Sequence, residues 1–325
     1  DFAEMLSEML GELNASHTGC RYYGGTASLS TAALGAFFDP NYEGDGLKIQ
    51  EVIKRGPFAV KKNEVTAGCI IEKIDGEAIK AGEDYNALLD GKAGKNVRLT
   101  IRNTKGKTFD LTIKAISQGN QQELLYKRWV DRNRAIVDSV SKGRIAYVHV
   151  KAMNSESFRT VYSELLSDKN RNKDAVIVDE RHNGGGWLHD DLCTLLSGKQ
   201  YQEFVPHGKV VGKDPFNKWT KPSCVLICED DYSNGHGFPW VYKELGIGKL
   251  IGTPVAGTMT AVWWETLMDR SLVFGIPQVG CRDMRGTFGE NTTLYPHVEV
   301  YNSPEDYING HDTQLIRAVE EMMKK

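Results

Sequence analysis

Val225-Leu-Ile-Cys-Glu-Asp-Asp-Tyr-Ser-Asn-Gly-His-Gly-Phe-Pro-Trp240 is the stretch on which the fold turns. A short apolar run of the buried-strand type ends near Cys228, a polar turn follows, and Trp240-Val-Tyr-Lys-Glu-Leu245 reads as helix. Ser233 therefore stands where a strand bends sharply into a helix. Such a bend exposes the side chain and aims backbone N–H groups at whatever it attacks. Taken alone, Ser-Asn-Gly fits an ordinary turn equally well.

On both sides of this stretch the pattern alternates. Arg144–Val150 and Asp174–Asp179 read as strands, 155–166 and 187–197 as helices, and Lys249–Gly252 as a further strand. Ser271–Gly275 and Val298–Val300 read as late strands, and 305–323 as mostly helix. Strand–helix alternation predicts an α/β core with a largely parallel sheet. A second turn, Glu180-Arg-His-Asn-Gly-Gly-Gly186, follows a predicted strand; its glycines let backbone approach a ligand, and no Gly-Lys-Ser/Thr follows to make it a Walker loop. Loops at the carboxyl ends of parallel strands gather on one edge. The two turns then supply a nucleophile and two N–H donors, the minimum for acyl transfer through an oxyanion.

Towards the N-terminus, residues 2–13 place Phe2, Met5, Met9 and Leu13 at helical spacing. Residues 120–140 read as a linking helix. Between them lie short β-type runs, Leu47–Val52, Ile70–Ile74, Val97–Ile101 and Phe109–Ile113, separated by turn residues such as Asp75-Gly76, with a helix-like piece at Tyr85–Leu89. With Gly56-Pro57-Phe58-Ala59 and Val65-Thr-Ala-Gly68-Cys-Ile-Ile, this region resembles a PDZ domain of the kind attached to bacterial proteases. The resemblance places the loop that holds a peptide's C-terminal carboxylate at Leu34-Gly35-Ala36-Phe37.

The 325 residues carry a net charge of −3, with 40% hydrophobic and 26% charged residues. This composition gives no reason to expect nucleic acid or an anionic membrane as partner. No apolar run reaches the roughly 20 residues that span a bilayer. Six cysteines, Cys20, Cys69, Cys193, Cys224, Cys228 and Cys281, show no CxxC pair and no metal-ligand spacing, so neither a metal, a cofactor nor a disulfide framework is expected. The chain opens at Asp1 inside a helical pattern, as a portion of a longer protein does.

A serine nucleophile needs a base. Proximity favours His236 or His182; nothing in spacing selects His17, which follows the first helix in Ala15-Ser-His-Thr-Gly19. The ordered set of motifs resembles the tricorn-like branch of the S41 serine peptidases. The set comprises Glu12-Leu-Asn-Ala-Ser-His-Thr18, the PDZ-like insert, Val178–Gly186, Asp231–Pro239, Glu244–Gly252 and Gly289-Glu-Asn291 ahead of Pro296–Val300.

That resemblance implies an N-terminal helical segment (1–32), a PDZ-like domain (33–117), a linking helix (118–142) and a ClpP/crotonase-like α/β peptidase core (143–325). It implies Ser233 as nucleophile, His17 as base, Ser16 and Glu290 as the relay behind it, and Asn234 with Gly185 or Gly184 as oxyanion donors. Related processing proteases place a lysine base where this chain has Thr258, which leaves the base to a histidine. The branch usually has Ser-Asp-Gly where this chain has Ser233-Asn234-Gly235, which puts in question any role of the aspartate side chain. The substrate implied is a peptide or unfolded polypeptide. Upstream β-propeller domains are implied for the full chain, and self-assembly and compartment stay open, with a lean towards export. Two other readings remain: a silent, peptide-holding PDZ module, and a hydrolase of non-peptide esters.

Overall fold

Ile145–His149, Ala175–Asp179 and Ser223–Ile227 are buried at every position. Strands covered on both faces require continuous apolar sequence of this kind. They are neighbours in a five-stranded parallel sheet ordered 145–149, 175–179, 223–227, 249–252, 298–299. Parallel strands need crossovers, and the helices Ser155–Leu165, His189–Leu196 and Asn234–Glu244 lie in the first three of the four connections. Val148, Val178, Val225, Leu192, Phe238 and Tyr242 share one buried cluster. This is the α/β core expected from the alternation.

The computed structural model describes residues 1–24, 30–60, 65–268 and 270–324. Residues 25–29 of the expected N-terminal segment, 61–64 of the expected PDZ-like domain, and 269 and 325 of the expected core lie outside the described residues. The chain divides into two units, residues 1–25 with 133–325, and residues 26–132.

Two expected elements of the first unit are resolved more finely by the structure. Ser271–Gly275 is strand from Leu272 onward, as expected, but outside the parallel sheet. It belongs to Leu272–Gly280, the central strand of a separate antiparallel sheet between Gly19–Tyr22 and Thr260–Thr266. This sheet ties the residues just after the first helix to the core, a link that no local periodicity carries. The mostly helical stretch expected over 305–323 forms two helices, Pro304–Asn309 and Thr313–Met323, parted at Gly310 with φ 63°. The first helix runs Phe2–Gly11 as expected, but its apolar stripe is open: Phe2, Met5 and Met9 are exposed, and the buried residue is Ala3.

Residues 26–132 hold an antiparallel sheet ordered 36–38, 47–52, 70–74, 96–102, 108–114, with 77–78 also paired to 70–74. Ile49, Ile71, Leu99 and Ile101 are buried in its core. Tyr85–Leu89 forms a short 3-10 helix whose first turn is capped by the Asp84 side chain. The helix Gln118–Val140 gives its first part to this unit and its last part to the other.

Candidate active site

Asp179 and Leu226 are cross-strand partners, so the turns that follow their two strands leave the sheet side by side. The turns then interlock. Tyr232 N–H donates to Asn183 O at 2.9 Å, and Asn183 N–H donates to Asp231 Oδ1 at 3.1 Å. A Cβ on Gly185 would stand 2.6 Å from Ser233 Cβ and 2.7 Å from Tyr232 O, and one on Gly235 would stand 2.5 Å from Asn183 O. Only glycine permits these approaches. Ser233 has φ 57° and ψ −119°, a strained conformation that lifts its side chain clear of the helix beginning at Asn234. Its own N–H is held by Thr258 Oγ1 at 2.9 Å.

The glycines divide their work. Gly185 N–H donates to Asn183 Oδ1 at 2.9 Å, so the N–H expected to face an oxyanion is engaged within its own turn. Gly184 is exposed and does not line the cavity beside Ser233, whereas Gly186 does. Asn234 contributes more than backbone. Its Oδ1 accepts from Leu188 N–H at 2.7 Å and His189 N–H at 3.1 Å, which caps the helix His189–Leu196, and its Nδ2 contacts His189 Nδ1 at 2.9 Å. The amide thus keeps an acceptor where an aspartate would have placed one.

His17 reaches this edge from the opposite end of the chain. Its residue has φ 62°, in a turn closed by the Thr18 hydroxyl on Ala15 O at 3.1 Å. Tyr232, the neighbour of Ser233, accepts the His17 backbone N–H at 2.7 Å and lays its ring 4.8 Å from the imidazole. His17 Nδ1 lies 2.9 Å from Ser16 Oγ and 3.0 Å from Thr260 Oγ1. Glu290 accepts from both Ser16 groups, the backbone N–H at 2.5 Å and the hydroxyl at 2.9 Å. A carboxylate is acceptor-only, so the Ser16 hydroxyl donates to Glu290 and presents a lone pair to Nδ1–H. That order leaves the Nε2 lone pair as the basic site. Burial lowers the His17 pKa from its ordinary value, against the raising influence of the Glu290 charge. His17, Ser233, Asn234, Thr258 and Thr260 line one cavity of about 350 Å³, whose walls include Trp187, Trp240, Met259 and Val262.

Of the other bases, His189 also lines this cavity, with its Nδ1 engaged by Asn234 Nδ2. His236 is buried beneath the turn, its Nδ1 accepts Thr258 N–H at 3.3 Å, and desolvation pushes its pKa down to about 4. His182 pairs with Asp230 at 2.9 Å. Lys243 donates to Tyr295 O and Lys249 to Glu321, each at 2.9 Å. Sequence reasoning missed Thr260, Tyr232 and Gly186. Tyr232 and Gly186 adjoin named motifs and were within reach by adjacency; nothing local marks Thr260, which the antiparallel sheet delivers. In the second unit, Leu34 and Ala36 are buried and Gly35 N–H donates to Gln121 Oε1 at 3.0 Å.

The model of peptidase family S41 matches residues 144–300, and that of the tricorn protease PDZ domain matches residues 42–118. The chain belongs to family S41, in its tricorn-like branch. It is similar to the tricorn protease of Thermoplasma acidophilum, 29% identical over 79% of this chain and 24% of that one. It is 30% identical over its whole length to a putative tricorn-like protease C-terminal subunit of Sulfurisphaera tokodaii, of which it covers 38%. The crystal structure of the tricorn protease matches with a TM-score of 0.80 at 26% identity, over 98% of this chain and 32% of that one. This S41 chain thus spans well under half the length of these relatives.

Proposed function

We propose that this S41 chain hydrolyses peptide bonds through an acyl-enzyme on Ser233. Ser233 Oγ attacks the scissile carbonyl carbon and passes its proton to His17 Nε2. The imidazolium keeps its Nδ1–H on Ser16 Oγ, whose own proton rests on Glu290, so the carboxylate steadies the charge through one hydroxyl. The carbonyl π electrons move onto oxygen, where Asn234 N–H at the start of its helix meets them. The second donor is assigned to Gly186 in place of Gly185, because Gly185 N–H is already given to Asn183. Collapse of the adduct expels the amine, which takes the proton from His17. Water then repeats the sequence on the ester and frees Ser233.

The observation that carries this reading is that His17 and Ser233 wall one cavity while the far side of the His17 ring is bound to Ser16 and Thr260. It supports the peptidase over the silent PDZ module. A fluorophosphonate probe tests it: wild type should label and Ser233→Ala should not. His17→Ala should lose most of the rate and Lys243→Ala little. Equal labelling of wild type and Ser233→Ala overturns the assignment, and turnover of esters without turnover of peptides overturns the substrate.

A further inference from the structure

Three donor atoms of different chemistry converge beside the two active-site turns, outside the cavity. His182 Nδ1 lies 2.9 Å from Asp230 Oδ2 and 3.8 Å from Cys228 Sγ. The three ligand atoms all lie within 4.8 Å of one another, and none of the three residues lines the cavity. Zinc holds sulfur at about 2.3 Å and nitrogen or oxygen at about 2.0–2.2 Å in a tetrahedron, which sets ligand atoms roughly 3.3–3.6 Å apart. The sulfur–nitrogen and nitrogen–oxygen separations bracket that range. His182 and Asp230 are exposed side chains that can make the remaining adjustment, while Cys228 is fixed at the end of its strand. A thiolate, an imidazole and a carboxylate together suit Zn²⁺, and not the all-oxygen preference of Mg²⁺ or Ca²⁺.

We propose that His182, Cys228 and Asp230 form a Zn²⁺ site that clips the glycine turn to the Ser233 turn. Binding forms a Zn–S bond and releases the Cys228 thiol proton to solvent, with water in the fourth position. The clip acts on the catalytic frame through neighbours. His182 precedes Asn183, whose carbonyl holds Tyr232 N–H. Asp230 precedes Asp231, whose carboxylate takes Asn183 N–H and Cys228 N–H. Because the three ligands meet only in the folded chain, the ion stabilises it by mass action. Sequence spacing hides the site, since its ligands come from two turns 46 residues apart.

The test is a Co²⁺ titration of the reduced chain, followed by displacement with Zn²⁺, and needs no peptidase assay. Wild type should give a thiolate-to-cobalt charge-transfer band at one equivalent, and Zn²⁺ should abolish the band and raise the melting temperature. Cys228→Ser should lose the band, and His182→Ala should weaken binding roughly tenfold or more. Both should lose the zinc-induced shift, and Cys281→Ser should retain all three. His182 is exposed, so its variant reads the site even where Cys228→Ser folds poorly. A wild type with neither band nor shift, or variants that keep both, overturns the site.

Discussion

Ser16 Oγ lies 2.9 Å from Glu290 Oε2 across 274 residues of chain, and the same hydroxyl touches His17 Nδ1. The sign of the coupling follows from the charges. Glu290 raises the His17 pKa while burial lowers it. Removing the charge in Glu290→Gln leaves burial unopposed, so His17 protonates only at lower pH. The acid limb of the kcat/KM profile should move to lower pH, and the plateau should fall roughly 10²-fold, because the imidazolium of the transition state loses its counter-charge. A pH–rate profile of both chains checks this. A lower plateau with an unmoved limb would make Glu290 a merely structural brace for the loop.

Gly185→Ala and Gly184→Ala should part company. The new methyl at Gly185 would meet Ser233 Cβ at 2.6 Å, and φ there is 94°, in the region that side chains avoid. At Gly184 nothing among the described residues lies within 4 Å of a Cβ. Gly185→Ala should lower stability by about 1–3 kcal/mol and abolish labelling of Ser233, while Gly184→Ala should melt close to wild type. Thermal melts and probe labelling read both. Normal labelling of Gly185→Ala would mean that the turns do not need this approach.

Much of this frame was legible because its signals are local. Continuous apolar runs mark Ala175–Asp179 and Ser223–Ile227 as buried parallel strands, and parallel strands put their following turns on one edge. What stayed illegible was long-range. His17 comes to the cavity that Ser233 lines because Gly19–Tyr22 pairs with Leu272–Gly280, and Thr260 arrives on the opposite edge of the same central strand. Only family resemblance pointed at His17, and nothing pointed at Thr260. The engagement of Gly185 N–H by Asn183 Oδ1 was illegible for another reason: sequence locates a glycine turn, but which N–H the Asn183 side chain takes is decided by side-chain geometry.

Glu180 is fully buried and neither carboxyl oxygen has a hydrogen-bond partner among the described residues. Burial, with the charges of Asp231 and Asp179, raises its pKa well above the ordinary value. The folded state then holds a proton that the unfolded state gives up above its ordinary pKa, so stability falls as pH rises from there towards the folded pKa. Glu180→Met removes a polar group without a partner and should stabilise the chain at neutral pH by about 1–3 kcal/mol. The gain should shrink towards pH 4, where both states are protonated. Denaturant melts at the two pH values decide it; a loss of stability at neutral pH would mean that the carboxyl is satisfied in solution.

Gly35 N–H is held by Gln121 Oε1 at 3.0 Å, inside the loop that family resemblance marks for a peptide's terminal carboxylate. Gln121 sits in the first turn of the helix Gln118–Val140 and lines the same groove as Leu34, Ala36 and Phe37. An incoming carboxylate has to displace that amide before it gains the N–H. Gln121→Ala in a Ser233→Ala background should therefore tighten binding of a labelled peptide with a free C-terminus by about 3- to 10-fold, the worth of one net hydrogen bond. The C-amidated peptide should gain nothing, since its terminus carries no charge for the backbone donors. Fluorescence anisotropy with the two peptides reads the difference. Equal gains would mean that the substitution only widens the groove, and no gain for either would remove Leu34–Phe37 as a carboxylate loop.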